Sequence, residues 1–80
     1  MMSNYDKYVE VFRTSFELES EPVEDLEYQG IDNWDSVGHM ALIATLEDAF
    51  GIMMETDDII DFNSFKKGME ILSTKYDIQF

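Results

Sequence analysis

Residues 34–51 read Trp34-Asp35-Ser36-Val37-Gly38-His39-Met40-Ala41-Leu42-Ile43-Ala44-Thr45-Leu46-Glu47-Asp48-Ala49-Phe50-Gly51. Val37, Met40 and Ala44, with the Ile43/Leu46/Phe50 set, recur at helical spacing and predict a helix over about 36–50. Gly51 stands where a helix ends with a left-handed residue. Ser36 falls on or just before the first turn, so it reads as an N-cap. No stretch of four or more residues alternates in a way that demands a strand, here or elsewhere in the chain.

Upstream, Tyr5, Tyr8, Val9, Phe12 and Phe16 share one helical face and predict a first helix over about 4–17. Ser3 followed by Asp6 resembles a capping box with Asp in place of Glu. Val11 falls off the stripe and is assigned to the surface. Residues 17–35 lose the period: Pro22, the Gln29-Gly30 pair and Asp32-Asn33 are turn material. So long a loop needs buried pins, and Val23, Leu26, Ile31 and Trp34 are the candidates.

Downstream, Thr56 is placed to cap a short helix through Asp57 to Asp61. Asn63 or Ser64 is placed to cap a last helix in which Phe65, Met69, Leu72 and Tyr76 share a face. The expected fold is all-α: a small four-helix bundle of three longer helices and one short one, with a long loop between the first two. Eighty residues fill one hydrophobic core, so 1–80 is read as a single domain.

Eighteen acids against five bases give a formal net charge of -13. No base lies between Arg13 and Lys66, a stretch that carries the acids from Glu17 through Asp61. Such a surface repels nucleic acids and anionic membranes and attracts basic faces of protein partners. The plain alternative is that the charge only maintains solubility. With no cysteine there is neither a disulfide nor a thiolate. No apolar run approaches the roughly 20 residues of a membrane span, and the start lacks the pattern of a signal peptide, so the expected address is cytoplasmic.

Candidate chemistry is sparse. His39 is the only histidine, which leaves a zinc site to carboxylates, and it reads as a solvated helix residue. EF-hand spacing fails from Asp32, where Val37 takes the glycine position, and from Asp61, where Lys66 does. Asp35, Ser36 and His39 supply the residue types of a hydrolase triad without its spacing. The glycines match no phosphate loop, and a bundle this small is expected to offer no ligand-sized cleft. The chain does not read as an enzyme.

Ser36 remains. Free N–H groups and the positive end of the helix dipole at the first turn would favour a phosphodiester on its hydroxyl, and Gly38 removes bulk where a modifying enzyme would approach. The competing reading is a serine that does nothing but cap. Asp35-Ser36-Val37, opening the second helix of an acidic four-helix domain, resembles the attachment motif of the acyl carrier protein family. The likeness covers about residues 4–76 and includes Leu46-Glu47-Asp48-Ala49-Phe50 and the acidic run Glu55–Asp58.

The resemblance implies a discrete, monomeric carrier, with 4'-phosphopantetheine placed on Ser36 by a phosphopantetheinyl transferase that uses magnesium. It implies that Asp35 contributes to metal and transferase contact and that Val37 stands in place of the commoner leucine. Glu47, Asp48, Asp57, Asp58 and Asp61 match the acids that meet basic patches on acyl or aminoacyl ligases, synthases and transferases. Gly38, His39, Ala41 and Thr45 depart from the more acidic pattern of fatty-acid carriers and point toward a specialised lipid, polysaccharide or secondary-metabolite pathway. Phe12, Met40, Phe50, Met54, Phe62, Phe65 and Met69 are assigned to the core, although the family's interior can open to an acyl chain. Two rivals stand beside this reading: an acidic adaptor that binds a basic protein without covalent change, and a divalent-cation sensor.

Overall fold

The computed structural model describes residues 2–80. Four helices follow in order: α1 (Asn4–Phe16), α2 (Ser36–Phe50), α3 (Thr56–Asp61) and α4 (Phe65–Lys75). Among the described residues there is no strand, only an isolated antiparallel bridge between Glu27 and Ser64. The chain is therefore an all-α small helical bundle. Its radius of gyration is 11.5 Å, against about 12 Å for a compact chain of this length, so one core accounts for the whole fold.

The three longer helices begin where a side chain satisfies one of their orphan donors. Ser3 Oγ accepts the Asp6 N–H at 3.1 Å to start α1, and Ser64 Oγ accepts the Lys67 N–H at 2.9 Å to start α4. At α3 the expected cap by Thr56 is not made: Thr56 is already helical, and Glu55 precedes it without a side-chain cap bond. The acids Asp57 and Asp58 lie in that first turn. Helix α1 ends on Glu17 at φ 57°, a left-handed position held without glycine. Helix α2 ends on Gly51 at φ 64°, as its sequence predicts.

An aromatic cluster forms the core. Tyr8 and Phe12 lie 4.7 and 5.0 Å from the Phe65 ring, and Phe16 stacks on Trp34 at 5.2 Å. Most of these contacts are edge-on or tilted, as the ring quadrupoles favour. Val11 is buried with them. It packs because the inward face of α1 is wide enough to take both sides of the Tyr8–Phe12 stripe. The α2 stripe also differs from its sequence reading: Leu42, Ile43 and Leu46 are buried, while Val37 and Met40 are 78% and 55% exposed. The start of α2 therefore turns Val37 and Met40 outward.

The long loop is ordered by its pins and by polar ties. Val23 and Trp34 are fully buried, and Leu26 and Ile31 pack partly against the core. Arg13 Nη1 donates to the Glu19 and Glu21 carbonyls at 2.8 and 2.9 Å. Asn33 Nδ2 donates to the Phe16 carbonyl at 2.9 Å, closing the end of α1. Backbone bonds from Tyr28 N to Asn63 O and from Phe65 N to Leu26 O, both 2.9 Å, fasten the loop to the α3–α4 turn. The C-terminal segment packs as well: Ile78 N donates to Leu72 O at 3.1 Å, and the Phe80 ring sits 5.2 Å from that of Tyr8.

Candidate functional site

Asp35 and Ser36 divide their duties in a way the sequence leaves open. Asp35 is the N-cap of α2, its Oδ1 accepting the Gly38 N–H at 2.8 Å. Ser36 is therefore the first helical residue, and its exposed hydroxyl carries no capping bond. The N–H groups of Ser36 and Val37, first-turn donors with no partner inside the helix, lie beside it. Gly38 has an internal reason to be glycine: a Cβ there would collide with the Asn33 carbonyl. It admits the loop backbone rather than an outside enzyme.

A cavity of about 360 Å³ opens directly beside Ser36. Its lining comes from α2 (Ser36, His39, Met40), from α3 and its end (Ile59, Ile60, Phe62), and from Tyr28 and Asn63 in the flanking loops. The bundle thus holds a cleft within the ordinary size range of small-ligand sites, contrary to the expectation from its length. The wall is mostly apolar, and it grades from rim to interior. Tyr28, Met40 and Ile60 are exposed, His39 and Ile59 are half-buried, and Phe62 is buried. Met40 is a rim residue and not a core one.

His39 is likewise not a solvated side chain. Its Nδ1 accepts the Trp34 indole N–H at 2.9 Å, and its Nε2 meets the Ile59 carbonyl at 2.8 Å. With both nitrogens engaged, neither is free to act as a base toward Ser36, so the Ser36–His39 pair lacks the arrangement of an activated nucleophile.

The acids assigned to partner contact separate into two groups. Asp48, Asp57 and Asp61 are exposed. Asp58 is 2% exposed and turned inward. Lys75 Nζ donates to its Oδ1 at 2.7 Å and the Tyr76 hydroxyl to its Oδ2 at 2.6 Å. These two hydrogen bonds, that from Lys75 foremost, hold the Asp58 carboxyl below the usual Asp range against the opposing pull of burial. Glu47 is half-buried, and its Oε2 accepts the Met54 N–H at 2.8 Å, bracing the turn after α2. Asp58 and Glu47 thus have structural roles: the buried Asp58 carboxylate is satisfied by Lys75 and Tyr76, and Glu47 satisfies the Met54 N–H.

The five bases are also spent inside the molecule. Lys7 reaches the end of α2 at the Ala49 carbonyl, 3.5 Å away, and Arg13 holds the long loop. Lys66 pairs with Asp25 at 3.2 Å, Lys67 with Glu70 at 3.6 Å and Lys75 with Asp58 at 2.7 Å. None lines the Ser36 cavity, which leaves Asp35, Asp57 and Asp61 as uncompensated charge along α2 and α3. Among the described residues no three Asp, Glu, His or Cys side chains gather as a metal site, and no helix is long and apolar enough to cross a membrane.

Compared with known proteins, the chain matches no family model, no curated protein and no solved structure. The site is thus defined by its own chemistry: an exposed primary hydroxyl at a helix start, an adjoining apolar cavity, and an acidic surround. Of these, Ser36, Asp35 and the exposed acids were legible in the sequence. Tyr28, Ile59, Ile60 and Asn63 were not, because they come from separate segments. The one available signal was the Ile59-Ile60 doublet on a six-residue helix, which cannot bury both side chains in the same core.

Proposed function

We propose that this chain is a carrier protein whose Ser36 bears a 4'-phosphopantetheine arm and which delivers acyl or aminoacyl cargo to partner enzymes. The observation that carries the reading is the position of the Ser36 hydroxyl: exposed, on the first turn of α2, at the edge of an apolar cavity. The resemblance of Asp35-Ser36-Val37 to the acyl carrier attachment motif supports it. When bound, the arm supplies a thiol that holds the cargo as a thioester.

The residues present fit such a group. The α2 start places N–H donors and the positive end of the helix dipole near a phosphodiester on Ser36. Asp35 commits its Oδ1 to the cap and remains exposed to a transferase and its magnesium. Val37, exposed beside Ser36, offers an apolar contact, while Asp48, Asp57 and Asp61 offer charge to basic docking patches. The cap duty of Asp35 also weighs against the simplest rival account of Ser36, that it is there to start the helix. The absence of acids in α2 before Glu47 supports a specialised lipid, polysaccharide or secondary-metabolite pathway over fatty acid synthesis.

The test is intact mass after incubation with coenzyme A, magnesium and a broad-specificity phosphopantetheinyl transferase, beside Ser36→Ala. One added arm on the wild type and none on the variant is the expected result. No addition to a chain shown to be folded would refute the carrier reading and favour a non-covalent acidic adaptor.

A further inference from the structure

The cavity beside Ser36 ends at a polar link that ties three segments together. Trp34, at the end of the long loop, donates its indole N–H to His39 Nδ1 on α2. Indole is a donor only, so Nδ1 carries no proton, and the ring hydrogen sits on Nε2, where it is donated to the Ile59 carbonyl on α3. The His39 ring lies nearly parallel to Trp34, 15° between planes, and 6.2 Å from the Phe62 ring. Behind these rings is the packed aromatic core, with Phe12 and Phe16 against Trp34. The half-buried His39 and Ile59 and the buried Phe62 thus form the inner end of the cavity, and the exposed Met40, Ile60 and Tyr28 its rim.

We infer that His39 is the specificity-determining residue of this cavity: by bridging Trp34 and Ile59 it holds α3 against α2 and limits the cargo to a short apolar acyl group. The inference rests on the carrier reading for the word cargo. Its physical content, a short cavity closed by His39, does not depend on the arm. The size preference follows from where the cavity ends: at about 360 Å³ it lies near the small end of ligand-site volumes, and its inner wall is His39, Ile59 and Phe62. A longer chain goes deeper only by parting α3 from α2, which breaks the His39–Ile59 bond, or by displacing Trp34, which leaves a buried indole N–H unpaired; otherwise its end stays in solvent.

The chain has no cysteine, so Ser36→Cys creates a unique thiol at the cavity edge. Alkyl methanethiosulfonates of increasing length attach there as disulfides without any transferase. The readouts are Tm and the emission of Trp34, the only tryptophan. Expected is a Tm that rises with each added carbon and reaches a plateau once the chain meets His39, with Trp34 emission shifting over the same range. On the same background, His39→Asn keeps an acceptor near the Nδ1 position and removes the reach to Ile59, and His39→Ala removes both. Each is expected to move the plateau to longer chains, and His39→Asn carries the comparison if His39→Ala does not fold. A Tm independent of chain length would overturn the inference, as would a rise without any plateau when His39 is retained. An unmoved plateau in folded His39→Asn would overturn the role of His39. Failure of the transferase assay alone would strike the carrier reading and leave this result standing.

Discussion

Trp34 and His39 stand five residues apart and are joined side chain to side chain, indole N–H to imidazole Nδ1, at 2.9 Å. The bond fixes the tautomer of His39 and so commits Nε2–H to Ile59. One imidazole thereby spans the loop, α2 and α3. His39→Ala would strand the Trp34 donor and the Ile59 carbonyl, with an expected loss of about 1–3 kcal/mol in urea unfolding. His39→Asn should lose less, because it keeps an acceptor for Trp34. Equal losses would show that the Trp34 bond contributes nothing.

The division of labour at the start of α2 predicts opposite outcomes for neighbouring residues. Asp35→Ala removes the cap to Gly38 and should cost about 0.5–2 kcal/mol. Ser36→Ala should fall within about 0.5 kcal/mol of the wild type, as an exposed residue outside any such bond does. Chemical denaturation of both variants decides the matter, and a larger loss at Ser36 would restore it as the cap.

Asp58 contributes to the acid limb. Its carboxyl is held below the usual Asp value by Lys75 and Tyr76, so it binds a proton less readily folded than unfolded. Its contribution is present in full above the unfolded value of about 3.9 and is lost as pH falls through the lower folded value. Asp58→Ala should lower stability at pH 7 through the lost hydrogen bonds from Lys75 and Tyr76, each worth about 0.5–1.5 kcal/mol. The difference from the wild type should shrink below about pH 4. A gap that stays constant down to pH 2 would sink this account.

Two backbone positions predict changes of opposite sign. Glu17 holds a left-handed conformation that costs a non-glycine residue about 1–2 kcal/mol, so Glu17→Gly should raise Tm. At Gly68 a Cβ would run into the Phe62 ring and the Tyr8 hydroxyl. Gly68→Ala should therefore lower stability by about 1–3 kcal/mol. Thermal melts of the two variants give the check, and a stabilised Gly68→Ala would mean that Phe62 repacks freely.

A net charge of -13 with every base already engaged leaves repulsion among the surface acids unrelieved. Raising salt from about 0.01 to about 0.1 M shortens the screening length from about 30 to about 10 Å. Tm should rise over that range with sodium chloride as well as with calcium chloride at matched ionic strength. Stabilisation by micromolar calcium alone would instead revive the cation-sensor reading.

Helix order, the bounds of α2, the glycine that ends it and the four loop pins follow from the residues alone. They depend on spacing along one segment, and spacing is written in the sequence. The prominence of Ser36 was legible for the same reason, because a helix start is a local event. What only the tertiary structure decided concerns contacts between segments: that His39 is clamped, Met40 outward, Val11 inward, Asp58 buried and Glu47 bound to Met54. The cavity belongs to this second class. Its lining comes from α2, α3 and the two flanking loops, and segments so far apart in the chain meet only when it packs.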